Sequence, residues 1–174
     1  MKTLRLILGD QLNYQHSWYT QASPDTLYVL MELRQETDYV VHHVQKIIGF
    51  FAAMYNFAAY LQKRGHRIVH LRINAPNNTQ SLTQNLDWLI EQNGIECFEY
   101  QLPDEYRLDQ QLTTYCQQLN IQSKVYDTEH FYTTREEVTQ LFGSKKTYPL
   151  GRFLLNQRKK KQVPREGAET RCGA

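Results

Sequence analysis

Gly9, Asp10 and Gln11 follow directly on a short apolar run, Leu4–Leu8. If that run is the first strand of a parallel α/β sheet, they lie at the carboxyl edge, where such sheets bind ligands. Gly9 permits close backbone approach, Asp10 supplies a carboxylate, and Gln11 supplies amide donors and an acceptor. Taken alone, the stretch Leu8–Leu12 slightly favours a plain strand-ending turn. A second group starts at Met31 and runs into a long helical pattern. Glu36 stands just before the positive end of that helix, and Tyr39, His43 and Lys46 share a face at i, i+4, i+7 spacing. These residue types suit a polar pocket over a planar ligand. The neighbours His42 and His43 would point about 100° apart on a helix and do not chelate one ion easily, so capping or packing is expected of each. His66 and His70 flank a strand with no third ligand in view, and Glu36 with Asp38 is too local for a catalytic carboxylate pair.

Several chemistries are excluded by motif. No G-x-G-x-x-G follows the first strand, and G-x-x-x-x-G-K, G-x-S-x-G and H-E-x-x-H are all missing from the sequence. Dehydrogenase-type dinucleotide binding, P-loop hydrolysis, α/β-hydrolase and zincin chemistry are thereby demoted. Cys97, Cys116 and Cys172 are odd in number, far apart and in no C-x-x-C pair, which disfavours a zinc site or disulfide framework and points to a reducing cytosol.

The elements that must position these residues alternate along the chain. Strand signals fall at Leu4–Leu8, Thr26–Met31, Arg67–Ile73, Ile95–Tyr100 and, briefly, Lys124–Tyr126. Helical patterns fall at Asp38–Arg64, Ser81–Asn93, Leu108–Leu119 and Thr134–Phe142. Such alternation predicts a Rossmann-like, doubly wound α/β fold: five parallel strands in the order 3-2-1-4-5 with helices on both faces. Thr37 or Asp38 is the expected cap of the long helix and Lys63-Arg64-Gly65 its stop. That helix is apolar on two sides. Its second face carries Val41, Phe50, Phe57 and Tyr60, available to a ligand, a partner domain or merely the next helix.

At 174 residues the chain suits one sizeable domain. Its longest apolar stretch, Ile47–Ala59, falls short of the roughly 20 residues that span a bilayer, and no secretory leader opens it. Residues 152–174 hold seven basic side chains against two acidic ones, +5, which leaves −3 on residues 1–151 of a chain at +2 overall. A negatively charged body is a poor footprint for DNA, and Arg158–Lys161 reads as a solvated helix end. The expected organisation is a domain over 1–143, the start of a linker helix over 144–163 and a flexible tail over 164–174.

Three stretches together resemble one family: Leu8-Gly9-Asp10-Gln11-Leu12, then Glu36-x-x-Tyr39-x-x-His42-His43-x-x-Lys46-Ile47, then Phe51-x-Ala53-Met54-x-x-Phe57-Ala58-x-x-Leu61. Pro103-Asp104-Glu105-Tyr106-Arg107 and Glu129-His130-Phe131-Tyr132 with Thr134-Arg135 add to it. The family is that of the photolyase-related proteins, the iron–sulfur bacterial cryptochromes and prokaryotic (6-4) photolyases, and the resemblance covers about residues 1–162.

The resemblance implies an N-terminal antenna domain. In the family a large helical domain follows it, holding FAD, a [4Fe–4S] cluster and the DNA-lesion pocket. Here the likeness ends near Val163, so the expectation is a truncated or frame-disrupted chain without FAD or cluster, inactive alone, and needing the helical domain as its partner. A 6,7-dimethyl-8-ribityllumazine antenna, weakly held, is the implied cofactor, at Gly9, Asp10, Gln11, Met31, Glu36, Tyr39, His43 and Phe50. The rival readings are a stand-alone nucleotide-binding module, using the loops after strands one and four, and an interaction domain that dimerises through the long helix.

Overall fold

The computed structural model describes residues 1–35, 42–143, 147 and 149–162. Five strands are present, β1 (Thr3–Ile7), β2 (Thr26–Met31), β3 (Arg67–Leu71), β4 (Cys97–Gln101) and β5 (Gln122–Tyr126). They form one sheet in the order β3-β2-β1-β4-β5, every pairing parallel, as the alternating pattern predicts. Residues in β1, β2 and β4 are buried on both faces, hence their near-continuous apolar runs. β5 extends further towards its start than its sequence signal. It is an edge strand, and Gln122, Ser123 and Lys124 are exposed, so they carry no apolar alternation.

The helices are α1 (Val44–Lys63), α2 (Leu82–Asn93), α3 (Tyr106–Gln118), α4 (Arg135–Phe142) and α5 (Leu150–Lys160). One core joins Leu4, Leu6, Val29 and Phe98 to Leu86 and Leu89 of α2 and Leu112 and Tyr115 of α3. The other joins Ile7, Tyr28 and Leu30 to Met54, Phe57, Ala58 and Leu61 of α1, with Trp18 and Tyr19 from a short 3₁₀ turn. Burying a Leu or Phe stabilises by about 1.5–3 kcal/mol, so these two layers hold the sheet edge in place.

The described start of α1 differs from the expected one. His43 is its N-cap, in extended conformation, and its Nδ1 accepts the Gln45 N–H at 3.2 Å. Thr37 and Asp38, the expected caps, lie outside the described residues. Since His43 precedes the helix, it does not share a helical face with Lys46. Lys46 Nζ instead lies 3.3 Å from His42 Nδ1. The helix ends as expected, at Arg64 followed by Gly65 with φ +84°. Phe57 is fully buried with Met54 and Leu61, whereas Val44, Ile48 and Tyr55 form an exposed stripe.

The chain divides into two compact units, Met1–His130 and Phe131–Ala174. α4 falls within the second of these units. Within that second unit Thr134 Oγ1 caps α4 through the Glu137 N–H at 3.2 Å. The rings of Phe142 and Phe153 lie 6.3 Å apart, and Lys160 pairs with Glu137 at 2.5 Å. Arg158, Lys159 and Lys160 sit in the last turn of α5, where the helix dipole favours cations. Among the described residues no helix is long and apolar enough to cross a membrane.

Candidate functional site

The loop after β1 is built around two features. The Phe50 ring of α1 lies so close to Gly9 that a β-carbon there would meet Cζ at 2.2 Å, and only glycine leaves that space free. Gln11, in contrast, is spent on the backbone. Its Oε1 accepts the Leu8 N–H at 3.2 Å, and its Nε2 donates to the carbonyls of Gln101 at 3.3 Å and Leu102 at 3.1 Å. The side chain is buried and stitches the ends of β1 and β4 together.

Asp10 is exposed beside this staple. Loss of hydration raises its carboxyl above the ordinary range. Its own backbone amide opposes that rise, Asp104 and Glu105 add to it, and His130 counters them. His130 Nε2 lies 3.2 Å from Asp104 Oδ2. Three separate segments, after β1, β4 and β5, thus converge on one polar patch at the carboxyl edge. Glu105 also holds the Arg107 guanidinium, with Nε at 2.6 Å.

The remaining predicted site residues scatter. His43 is exposed and caps α1. Phe50 is half-buried against the α1-side core, next to Gly9. Met31 is buried in the opposite core with Leu33 and Leu71, on the other face of the sheet from Phe50. Glu36 and Tyr39 lie outside the described residues. The structure therefore brings Gly9, Asp10 and Phe50 together and directs the side chains of Gln11 and Met31 elsewhere.

Other residues also hold this edge, and His16 among them gave no sequence signal. His16 is buried. Its Nδ1 accepts the Trp18 N–H at 3.0 Å, so its Nε2 carries the proton and donates to the Asp127 carbonyl at 2.8 Å. Glu129, at φ +55°, accepts from the Ser17 N–H at 2.9 Å and the Ser17 hydroxyl at 2.5 Å. Desolvation alone would raise the Glu129 carboxyl, but the Ser17 bonds and nearby His16 bring it below its ordinary value. On the other side, Glu32 accepts the Ile73 N–H at 2.8 Å and faces His70 Nε2 at 3.0 Å. These partners are distant in sequence, and only a periodic or motif signal would have exposed them.

Deeper under the same edge, Arg5 Nε bonds Glu99 Oε2 at 2.8 Å, Arg5 also donates to the Tyr28 hydroxyl at 3.0 Å, and the Tyr126 hydroxyl donates to Glu99 Oε1 at 3.1 Å. The cavity beside the loop after β4, bordered by Gln35, Glu105, Arg107, Leu108 and Gln111, measures about 170 Å³. Small-molecule sites usually measure about 300–1,000 Å³, so this cavity alone does not seat a nucleotide. A polar groove of about 630 Å³ between α2 and α3, with Asp87, Arg107 and Gln111 in its walls, opens on the face away from Phe50. Cys97 is buried and Cys116 half-buried, each raised above the usual thiol range by burial. Among the described residues no group of three or more His, Cys, Asp or Glu side chains fits a metal ion, and Cys97 and Cys116 do not fit a four-cysteine cluster.

Comparison with known proteins adds a match to the family described as deoxyribodipyrimidine photo-lyase-related protein, over residues 5–168. A curated relative, a (6-4) photolyase of Agrobacterium fabrum, is 28% identical over 162 residues. The match covers 92% of this chain and 32% of the relative, so the chain spans about a third of that protein's length.

Proposed function

The chain belongs to the deoxyribodipyrimidine photo-lyase-related protein family, and from that premise we propose that it serves as an antenna-pigment domain. The pigment would be a ribityl lumazine at the carboxyl edge of the sheet. Such a pigment absorbs light and passes on energy without forming bonds, so the protein's task is to seat it. The observation that carries this reading is the convergence of Gly9, Asp10 and Phe50, with Asp104 and His130 at the same edge. Phe50 offers an apolar wall for a planar ring, and Asp10 a hydrogen-bonding group for ribityl hydroxyls. Glu36, Tyr39 and His43 belong to the same proposal, with His43 at the α1 N-terminus. Met31 and Gln11 enter it through the backbone they position, since their side chains are committed to the core and to β4.

Light-driven repair of DNA photoproducts belongs, in this proposal, to a protein that adds a FAD-holding helical domain. This chain alone is proposed to bind neither DNA nor flavin and to act in the cytoplasm. Fluorescence titration with 6,7-dimethyl-8-ribityllumazine tests the seat. Saturable binding, weakened at least several-fold by Asp10→Ala, Phe50→Ala and Glu36→Ala, is expected. No saturation at millimolar pigment, or indifference to all three changes, rejects it.

A second reading rests on the exposed stripe of Val44, Ile48 and Tyr55 on α1, which would pair two copies of the chain. A light-scattering mass of one chain at high concentration rejects that reading.

A further inference from the structure

Glu129 stands in the left-handed region, at φ +55°, where a β-carbon is crowded and Asn or Asp is the usual choice other than glycine. Glutamate does not seek this conformation, so its surroundings must hold it there. Asp127 Oδ1 accepts the Glu129 N–H at 3.3 Å, which tightens the turn from within. The Glu129 carboxylate takes the Ser17 N–H at 2.9 Å and the Ser17 hydroxyl at 2.5 Å, which ties the turn to a residue 112 positions earlier. Ser17 is itself a fixed point. On one side of it His16 reaches the Asp127 carbonyl at 2.8 Å, and on the other the Trp18 carbonyl accepts the Tyr28 hydroxyl at 2.7 Å.

The next side chain goes elsewhere. His130 Nε2 lies 3.2 Å from Asp104 Oδ2, in the loop after β4. Two adjacent residues therefore grip two different loops, Glu129 the one after β1 and His130 the one after β4. A residue in the left-handed region reverses the local curl of the chain, and its return to the extended or right-handed region would redirect His130 first of all. All of these residues belong to the unit Met1–His130.

We propose that Glu129 is the positioning residue of this edge: bonded to Ser17, it holds the left-handed turn that aims His130 at Asp104, and so closes the loops after β1, β4 and β5 on one another. The assembly stands on these bonds alone. Its service to a pigment rests on the proposed function, because Asp10 shares the patch. Burial raises the Asp10 carboxyl, Asp104 adds to the rise and His130 opposes it, so a displaced His130 changes the field at Asp10.

NMR of the His130 ring nitrogens reads the contact. Asp104→Asn is expected to move these resonances in the parent chain and to leave them unmoved in Glu129→Ala. The response is expected to return in Glu129→Gln, whose amide can still accept the Ser17 N–H and bond its hydroxyl. A Glu129 that merely added stability would leave the response in place. No response in the parent, a response that persists in Glu129→Ala, or one that stays absent in Glu129→Gln overturns the proposal. Where Glu129→Ala does not fold, Ser17→Ala is expected to shrink the response at least two-fold, and an undiminished one overturns the proposal equally. Titration with 6,7-dimethyl-8-ribityllumazine is the second measurement, with affinity expected to fall at least several-fold in Glu129→Ala. Unchanged affinity there overturns the positioning role, whereas a parent that binds no pigment rejects the pigment reading and leaves the His130 response to decide.

Discussion

The edge of the Phe50 ring occupies the space that a side chain on Gly9 would need, its Cζ only 2.2 Å from where a β-carbon would stand. The loop and the helix are therefore fitted to each other at one atom. Gly9→Ala must push the ring aside, and a forced shift of this kind costs about 1–3 kcal/mol. Urea unfolding should show that loss, and the cost should shrink when Phe50 is first cut to Ala. Equal costs in both backgrounds would mean the ring is not what the new methyl meets.

Asp10 leads to the opposite sign. Its carboxyl titrates above its ordinary value of 3.8, so the folded state prefers it neutral, and the penalty builds as pH rises from 3.8 to the folded value and is full above it. Asp10→Asn should therefore raise the melting temperature at pH 7 and give no gain below pH 3.8. A gain that persists at low pH would point to packing instead of charge.

Acid should weaken the β3 edge through its histidines. Burial lowers His66, with Tyr19 opposing and Arg64 assisting. It also lowers His70, with Glu32 opposing and Arg72 assisting. A histidine held below its ordinary 6.5 binds fewer protons folded than unfolded, so its penalty is absent above pH 6.5 and grows as pH falls through that value. Replacing both with Gln should flatten stability against pH between 6.5 and the folded values. A slope equal to the parent's in that window would refute this account.

The Arg5–Glu99 pair makes a third kind of demand. Glu99 has a side chain 5% exposed, and it bonds both Arg5 and Tyr126. Removing one partner of such a pair leaves a buried charge alone, at about 3–5 kcal/mol. Glu99→Ala should cost close to that in denaturant unfolding, and Glu99→Ala with Arg5→Met should recover a good part. A double variant no better than the single one would show that the hydrogen bonds, not the charge, carry the energy.

The strand order was legible because burial on both faces imposes unbroken apolar runs, and alternation with helices leaves few topologies. β5 was legible only in part, since an edge strand with Gln122, Ser123 and Lys124 exposed has no reason to look apolar. The start of α1 was misplaced because His43 caps with an imidazole nitrogen, outside the usual set of capping side chains. At the site, the Gly9–Asp10 turn was legible from its position after β1. The proximity of Asp104 and His130 was not, because they stand 26 positions apart with α3 and β5 between them. Met31 faces the other core because proximity to the sheet edge leaves open which face a side chain takes until the register is set.

The place of β1 in the sheet also governs how the chain comes together. It precedes the other four strands of the sheet along the chain, yet it lies between β2 and β4, and Arg5 meets Glu99 across 94 residues. A nascent chain can close the β1–β2 pairing early but must leave the far edge of β1 open until Gln101 has emerged. That open edge bears Leu4 and Leu6, both apolar and destined for the core. Pairings of such long range are slow, and an uncovered apolar strand is where chains stick to one another. Any piece of this protein released before the end of β4 would carry that adhesive edge permanently.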